Sequence, residues 1–146
     1  MKKLEVVIFD LDGCLIDFRA RLNFYNALDE SNRPPETSLL KYDKPIRAYV
    51  ELWRSVCLKE IKPIVVTARK ENLSSATISW LHLNNLEPFE IFFKPSISTE
   101  SDPEFKKRIV CEKILGKYDV LFAIDDDPAV CEAYRKLNLE VLHIRR

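Results

Sequence analysis

Short apolar segments alternate along this chain with longer segments of helical periodicity, and this alternation is the strongest constraint on its fold. The strand-like segments are residues 5–9, 63–67, 90–93, 120–124 and 140–144. Each is short and apolar throughout, as strands buried on both faces are. The alternation therefore predicts an α/β fold in which a five-stranded parallel sheet lies between two layers of helices.

The helical segments have recognisable ends. Apolar residues recur at helical spacing in residues 46–57, 72–83, 103–115 and 128–137. Asp43 with Pro45 predicts the start of the first helix, and Asn72 is the predicted N-cap of the second. Pro103 is the predicted first residue of the third helix, and Gly116 its stop. Asp127 with Pro128 predicts the start of the fourth.

One segment does not follow the alternation. Phe18, Leu22, Tyr25 and Leu28 have the spacing of an amphipathic helix, and the polar, proline-containing residues after them read as a surface loop. We predict a small insertion at about residues 17–42, beside the functional site and within a single domain of residues 1–146.

Charge and cysteine content narrow the class of protein. The 146 residues contain 23 Lys plus Arg and 23 Asp plus Glu, so no general attraction to nucleic acid or anionic membranes is expected, although specific local contacts stay possible. No apolar run approaches the roughly 20 residues that span a bilayer. Four scattered cysteines predict buried free thiols and a cytoplasmic location.

Polar residues follow three of the predicted strands. Asp10 and Asp12 come after the first strand, Thr67 ends the second, and Asp125 and Asp126 end the fourth. Carboxyl ends of parallel strands meet at one edge of a sheet, where ligands bind. Clustered carboxylates repel one another, and a hard dication relieves this. The pattern predicts a Mg²⁺ site that meets a phosphate, with helix caps and turns as the alternative.

A Gly-rich phosphate loop is excluded, because Gly13 and Gly116 are the only glycines.

Four segments resemble, in the same order, the motifs of haloacid dehalogenase (HAD) superfamily phosphatases. They are residues 8–14 (IFDLDGC), residues 64–67 (IVVT), Lys106 or its neighbour Lys107 early in a predicted helix, and residues 121–126 (LFAIDD). The resemblance implies a Rossmann-like three-layer domain with a minimal cap insertion. It also implies a Mg²⁺-dependent phosphomonoesterase.

A narrower resemblance is to the phosphatase domain of polynucleotide kinase-phosphatases and related phage phosphatases. It lies in Thr67-Ala-Arg, in residues 77–81 (TISWL) and in residues 125–127 (DDD). Ala68 and Asp127 stand where that family usually has Gly and Arg. The resemblance implies a nucleotide or a polynucleotide 3′-phosphate as the phosphorylated substrate, and the short insertion predicts a cleft open enough to admit the end of a polymer.

The resemblance also implies a role for each matching residue. Asp10 would attack phosphorus and form an aspartyl-phosphate, and Asp12 would act as general acid and then as general base. The phosphate-binding residues would be Thr67, Lys106 and Arg69, and the metal-binding residues would be Asp10, Asp12 through its backbone carbonyl, Asp125 and Asp126. For Arg69, an exposed arginine ahead of a helix is the alternative, and for Asp127 a helix N-cap is favoured.

Other functions stay open at this point. One alternative is a small-metabolite or generic acid phosphatase of the same superfamily. Another is a non-catalytic phosphate-binding or regulatory module on the same fold, such as a receiver domain. A receiver domain needs its phosphorylated Asp at the end of a middle strand, and residues 63–67 end without one.

Overall fold

The computed structural model describes residues 1–145 and has the predicted alternation of strands and helices. The strands are β1 (Leu4–Phe9), β2 (Ile16–Asp17), β3 (Lys44–Pro45), β4 (Lys62–Lys70), β5 (Glu90–Lys94), β6 (Tyr118–Asp125) and β7 (Val141–His143). The helices are α1 (Arg19–Asn26), α2 (Arg47–Leu58), α3 (Ser74–Leu83), α4 (Asp102–Ile109) and α5 (Pro128–Arg135).

The main sheet, as traced over residues 1–145, has the strand order β5-β4-β1-β6-β7, and all of its neighbouring strands are parallel. The predicted five-stranded parallel sheet is therefore confirmed. The chain runs outward from β1 through β4 to β5 and then returns to β6 on the other side of β1. This reversal of strand order brings the carboxyl ends of β1, β4 and β6 together, where an open α/β sheet binds its ligands.

The two faces of β1 contribute to two different cores, which makes the fold three-layered. Val7 and Phe9 pack with α2 and α3, and the ring centroids of Phe9 and Trp53 are 5.0 Å apart. Val6 and Ile8 point to the other face and pack with α4 and α5. Burying each such side chain stabilises the fold by about 1.5–3 kcal/mol. Burial on both faces explains why β1 is apolar at every position from Val6 onward.

The insertion contains more structure than one helix and a loop. Strands β2 and β3 pair antiparallel at its base, and short 3₁₀ turns follow α1 at Glu30–Asn32 and Glu36–Tyr42. The prediction of an apolar inner face for α1 is wrong at one position: Leu22 is 45% exposed, whereas Arg21 is 8% exposed. The inner face of α1 meets carboxylates, described below, and a guanidinium fits there better than a leucine.

Two predicted helix starts differ from those observed. Asn72 lies in a 3₁₀ turn (Glu71–Leu73), and α3 begins after Leu73 without a side-chain cap, so the N-cap prediction is wrong. Pro103 is the second residue of α4, because Ser101 caps this helix in a reciprocal capping box with Glu104. The predicted helix over residues 103–115 is α4 followed by a π-helical turn (Val110–Ile114).

The start predicted at Asp127 is confirmed, since its carboxylate accepts a hydrogen bond from Ala129 N at 2.8 Å. Asp43 does not cap α2, whose N-cap residue is Ile46. Its carboxylate instead points into the site described below.

Two further expectations concern the thiols and the helices. All four cysteines are free, but Cys57 and Cys111 are exposed, so the prediction of burial is correct only for Cys14 and Cys131. None of the helices formed by residues 1–145 combines the length and the apolar character needed to cross a bilayer.

Candidate active site

The turn after β1 depends on Gly13. Its φ is +81°, which side chains other than glycine rarely adopt, and its N–H donates to Ile16 O at 2.9 Å. A Cβ at this position would lie 2.0 Å from Asp126 Oδ2. Only glycine therefore allows the loops that follow β1 and β6 to approach this closely.

A buried lysine joins the ends of β1 and β6. Lys106 Nζ donates to Asp10 Oδ1 at 2.8 Å and to Asp125 Oδ2 at 2.7 Å. The three side chains are 4%, 7% and 1% exposed. The sequence left Lys106 and Lys107 as alternatives, and the structure places Lys106 between the two carboxylates and Lys107 at the surface.

Three carboxylates converge here with the chemistry of a divalent cation site. Oxygen atoms of Asp10, Asp125 and Asp126 all lie within 4.8 Å of one another. Lys106 carries one positive charge against three negative ones, so the donor set has both the hard oxygens and the excess charge that suit Mg²⁺. The Asp12 carboxylate lies outside this group and pairs with Arg69.

Burial perturbs the ionisation of these groups. It raises the pKa of Asp10 well above the ordinary value, and the attraction of Lys106 offsets this only in part. It also raises the pKa of Asp126. Burial disfavours the charge of Lys106, but Asp10 and Asp125 together raise its pKa well above that of a free lysine. The carboxylates are therefore under-neutralised by Lys106, and a bound cation would relieve this.

Asp12 is held by two arginines in a cluster that we call the two-arginine network, consisting of Asp12, Arg21, Asp43 and Arg69. Arg69 donates to both Asp12 oxygens, from Nε at 2.9 Å and from Nη2 at 2.6 Å. Asp43, whose side chain is fully buried, accepts from Arg69 Nη2 at 2.8 Å and from Arg21 Nε at 2.9 Å. Arg21 Nη2 also reaches Asp12 Oδ1 at 3.3 Å. The network fixes the orientation of Asp12.

Arg69 is not the exposed arginine that the sequence left open as an alternative. β4 continues past Thr67 to Lys70, and Arg69 is 6% exposed. Its Nη1 donates to Thr77 Oγ1 at 3.0 Å, in addition to its bonds with Asp12 and Asp43. Every terminal nitrogen of Arg69 thus has a protein partner, so its observed contacts are those of a residue that orients Asp12.

Sequence reasoning missed Arg21 and Asp43. A signal for Arg21 was present, since it lies three residues after Phe18 and four before Tyr25, in phase with the apolar positions of α1. Asp43 had no such signal, because an Asp before a helix is normally a cap.

Thr67 ends the apolar part of β4 and is 1% exposed. Its Oγ1 accepts a hydrogen bond from Arg69 N at 3.1 Å, so its hydroxyl proton stays available for an acceptor in the cavity.

The cavity above the sheet has a volume of about 610 Å³ and two chemically different walls. Asp10, Asp12, Thr67 and Lys106 are among the residues that line its polar floor. The insertion and the turn after β4 supply an apolar wall, lined by Phe18, Leu22, Tyr25, Leu39 and Leu73. A ligand with a charged group at one end and an apolar, planar or aliphatic part at the other fits such a cavity.

A family model described as the polynucleotide kinase PNKP phosphatase domain matches residues 4–146. No curated protein gave a significant match to this chain.

Solved structures share the fold. A chain of the Pnkp1/Rnl/Hen1 complex superposes with a TM-score of 0.80 at 22% identity, covering 97% of this chain and 46% of that one. A chain of the Pnkp1/Rnl/Hen1 RNA repair complex gives 0.80 at 22%, covering 98% and 43%. The class C acid phosphatase from Bacillus anthracis with tungstate bound gives 0.73 at 12%, covering 99% and 68%. The chain thus spans less than half the length of the first two.

Proposed function

The chain belongs to the family of PNKP phosphatase domains within the HAD superfamily and is a phosphatase, and we propose that it is a Mg²⁺-dependent phosphomonoesterase acting through an aspartyl-phosphate on nucleotide or polynucleotide phosphate ends. The observation that supports this most strongly is the pairing of Lys106 with Asp10 and Asp125 beside an Asp12 held by Arg69. Residues 1–146 act as a single domain in this proposal, in the cytoplasm.

Asp10 is the proposed nucleophile. One of its carboxylate oxygens attacks phosphorus, a new bond forms between that oxygen and phosphorus, and the ester oxygen leaves with its electron pair. Lys106 donates hydrogen bonds to the oxygens of the transferring phosphoryl group, because its ammonium already lies 2.8 Å from Asp10 Oδ1. Thr67 directs its hydroxyl proton to another phosphoryl oxygen.

Asp12 is the proposed general acid and base. It protonates the leaving oxygen and later takes a proton from the water that hydrolyses the aspartyl-phosphate. Such a residue has to keep one position through both steps, and the bidentate contact with Arg69 supplies this.

Asp10, Asp125 and Asp126, with the backbone carbonyl of Asp12, are the groups that would hold Mg²⁺. When bound, the cation would neutralise charge on the phosphoryl oxygens and on the carboxylates.

The cavity and the comparisons support the proposed substrate class. A nucleoside has an apolar planar base at a distance from its phosphate, which suits the apolar wall formed by the insertion. One related chain belongs to a structure described as an RNA repair complex. We therefore favour a nucleic-acid or nucleotide phosphate over a sugar phosphate.

The test is a phosphatase assay of the full chain with Mg²⁺ on 3′-phosphorylated oligonucleotides, mononucleotides and sugar phosphates. We expect the oligonucleotide ends or nucleotides to be hydrolysed at least about tenfold more efficiently than sugar phosphates, a difference of about 1.4 kcal/mol in transition-state stabilisation. The reverse preference would identify a small-metabolite or generic acid phosphatase; a class C acid phosphatase from Bacillus anthracis shares this fold.

A matched variant tests the nucleophile. Asp10→Asn is nearly isosteric, so we expect an intact fold with no turnover and no trapped phosphoenzyme on a denaturing gel. Substantial turnover by Asp10→Asn would remove Asp10 from the mechanism. Absence of turnover by the wild-type chain on every ester, with phosphate still bound, would leave a non-catalytic phosphate-binding protein.

A further inference from the structure

A buried hydroxyl near the site has no hydrogen-bond partner. Tyr134 on α5 is 1% exposed, and its Oη atom is the one buried side-chain polar atom without a partner among those of residues 1–145. Leaving a buried hydroxyl unpaired destabilises a fold, so such a group in a native structure calls for an explanation. Phenylalanine would fill the same space without this cost.

Tyr134 lies on the side of α5 that packs toward α4, the helix that carries Lys106. Helix α5 packs on α4, and Tyr134 shares a core with Phe105, the residue before Lys106. Val130, one turn earlier on the same face of α5, lines the site cavity together with Lys106.

The electrostatics agree with this placement. Burial raises the pKa of Tyr134, the charge of Lys106 lowers it, and the charges of Asp125 and Asp10 raise it further. The charge of Lys106 therefore acts on the buried Tyr134 side chain, and so do the charges of Asp125 and Asp10.

Lys106 has a donor that is not yet used. An ammonium group has three N–H donors, and within residues 1–145 Lys106 Nζ bonds to two acceptors, Asp10 and Asp125. The same buried cluster thus contains one uncommitted donor and one uncommitted acceptor.

We propose that Tyr134 is a positioning residue for Lys106, accepting a hydrogen bond from Nζ when the ammonium group leaves Asp10. In the proposed function, on which this inference rests, the ammonium leaves Asp10 when that carboxylate forms its bond to phosphorus. Lys106 then keeps Asp125 and gains the Tyr134 hydroxyl, and so stays aimed at the phosphoryl group while Asp10 changes from a carboxylate into an acyl phosphate. The pairing is latent in the free protein and is used during turnover.

The first test does not depend on activity. Asp10→Ala removes one partner of Lys106 permanently, so Tyr134 should replace it in that background. We expect Tyr134→Phe to raise the Tm of the wild-type chain by about 2–4 °C, because an unpaired hydroxyl is removed, and to lower the Tm of the Asp10→Ala variant by a similar amount. Equal Tm changes in the two backgrounds would overturn the proposal.

Tyr118 provides the matched control. It is 7% exposed at the start of β6, at the opposite end of the sheet from the site, and its hydroxyl is already paired with Glu90. Tyr118→Phe should lower the Tm of both backgrounds equally and leave turnover unchanged.

The second test is kinetic. Tyr134→Phe should lower kcat about tenfold with KM within about a factor of two of wild type, because the contact forms only after substrate binding. A more stable variant with unchanged kcat would show a purely structural tyrosine. If the wild-type chain had no phosphatase activity, the proposed function would fail, and the stability comparison would still decide whether Tyr134 and Lys106 pair.

Discussion

Replacing Lys106 by alanine should convert a stable buried cluster into one whose stability depends on metal and pH. The side chain is 4% exposed and its two carboxylate partners are 7% and 1% exposed, so the pairs are shielded from water. Removing one partner of a buried ion pair costs about 3–5 kcal/mol, because the remaining charge is left uncompensated. In a chain of this size, each kcal/mol of lost stability lowers the Tm by about 2–4 °C, so the Tm of Lys106→Ala should be lower than that of wild type by about 6–20 °C.

The loss should depend on pH. Burial holds the pKa of Asp10 well above its ordinary value in the folded protein, and removing Lys106 removes the charge that opposes this. A carboxyl whose pKa is raised by folding contributes stability below its unfolded pKa of about 4, and that contribution is lost as the pH rises through the folded pKa. The deficit of Lys106→Ala relative to wild type should therefore be larger at pH 8 than at pH 5.

Thermal unfolding with EDTA and with Mg²⁺ measures both effects. Mg²⁺ at about 100 times its Kd should restore about 2.7 kcal/mol to the variant. The adjacent exposed Lys107 supplies the control, since Lys107→Ala should stay within about 0.5 kcal/mol of wild type. Equal stability of the two variants, with no response to Mg²⁺ or pH, would refute the electrostatic reasoning on which the site depends.

Three further predictions concern the backbone at Gly13, the contact of Arg69 with Asp12, and the metal. Gly13→Ala should lower the free energy of unfolding by about 1–2 kcal/mol, because residue 13 has a left-handed backbone conformation, and should lower kcat at least about tenfold by displacing Asp126. Gly116→Ala is the control: a Cβ there meets nothing within 4 Å, so kcat in the same assay should be unchanged. Arg69→Lys keeps the charge but loses the fork on Asp12, so kcat should fall about tenfold or more with the fold retained by circular dichroism. EDTA should abolish turnover and added Mg²⁺ should restore it; full activity in EDTA would contradict the metal assignment.

Local patterns predicted the strands better than the helix ends. The segment ending at Phe9 is apolar at consecutive positions because both faces of β1 are buried. The first residue of a helix is harder to predict from sequence, since several consecutive residues can act as the N-cap. Asn72 was a reasonable N-cap, but α3 starts after Leu73, and Ser101 shifted α4 by one residue through its bond with Glu104 N.

The site was predictable where a residue follows a strand directly. Asp10 and Asp125 come together because parallel strands bring their carboxyl ends to one edge. The role of Asp43 was not predictable, because it depends on guanidinium groups from α1 and from the extension of β4, which the sequence separates by 22 and 26 residues. Lys106 and Lys107 likewise look alike in sequence, and only the packing of α4 buries one of them.

The order and spacing of its residues determined on their own that this chain forms a parallel α/β sheet with acidic side chains at one edge. These features depend on the periodicity of apolar residues and on which residues are neighbours in the sequence. Both are properties of the chain before any tertiary contact forms. Tertiary structure decided which lysine meets Asp10, which arginines hold Asp12, and that the hydroxyl of Tyr134 is buried without a partner. Such contacts join distant segments, and their strength depends on burial, which exists only once the helices have packed on the sheet.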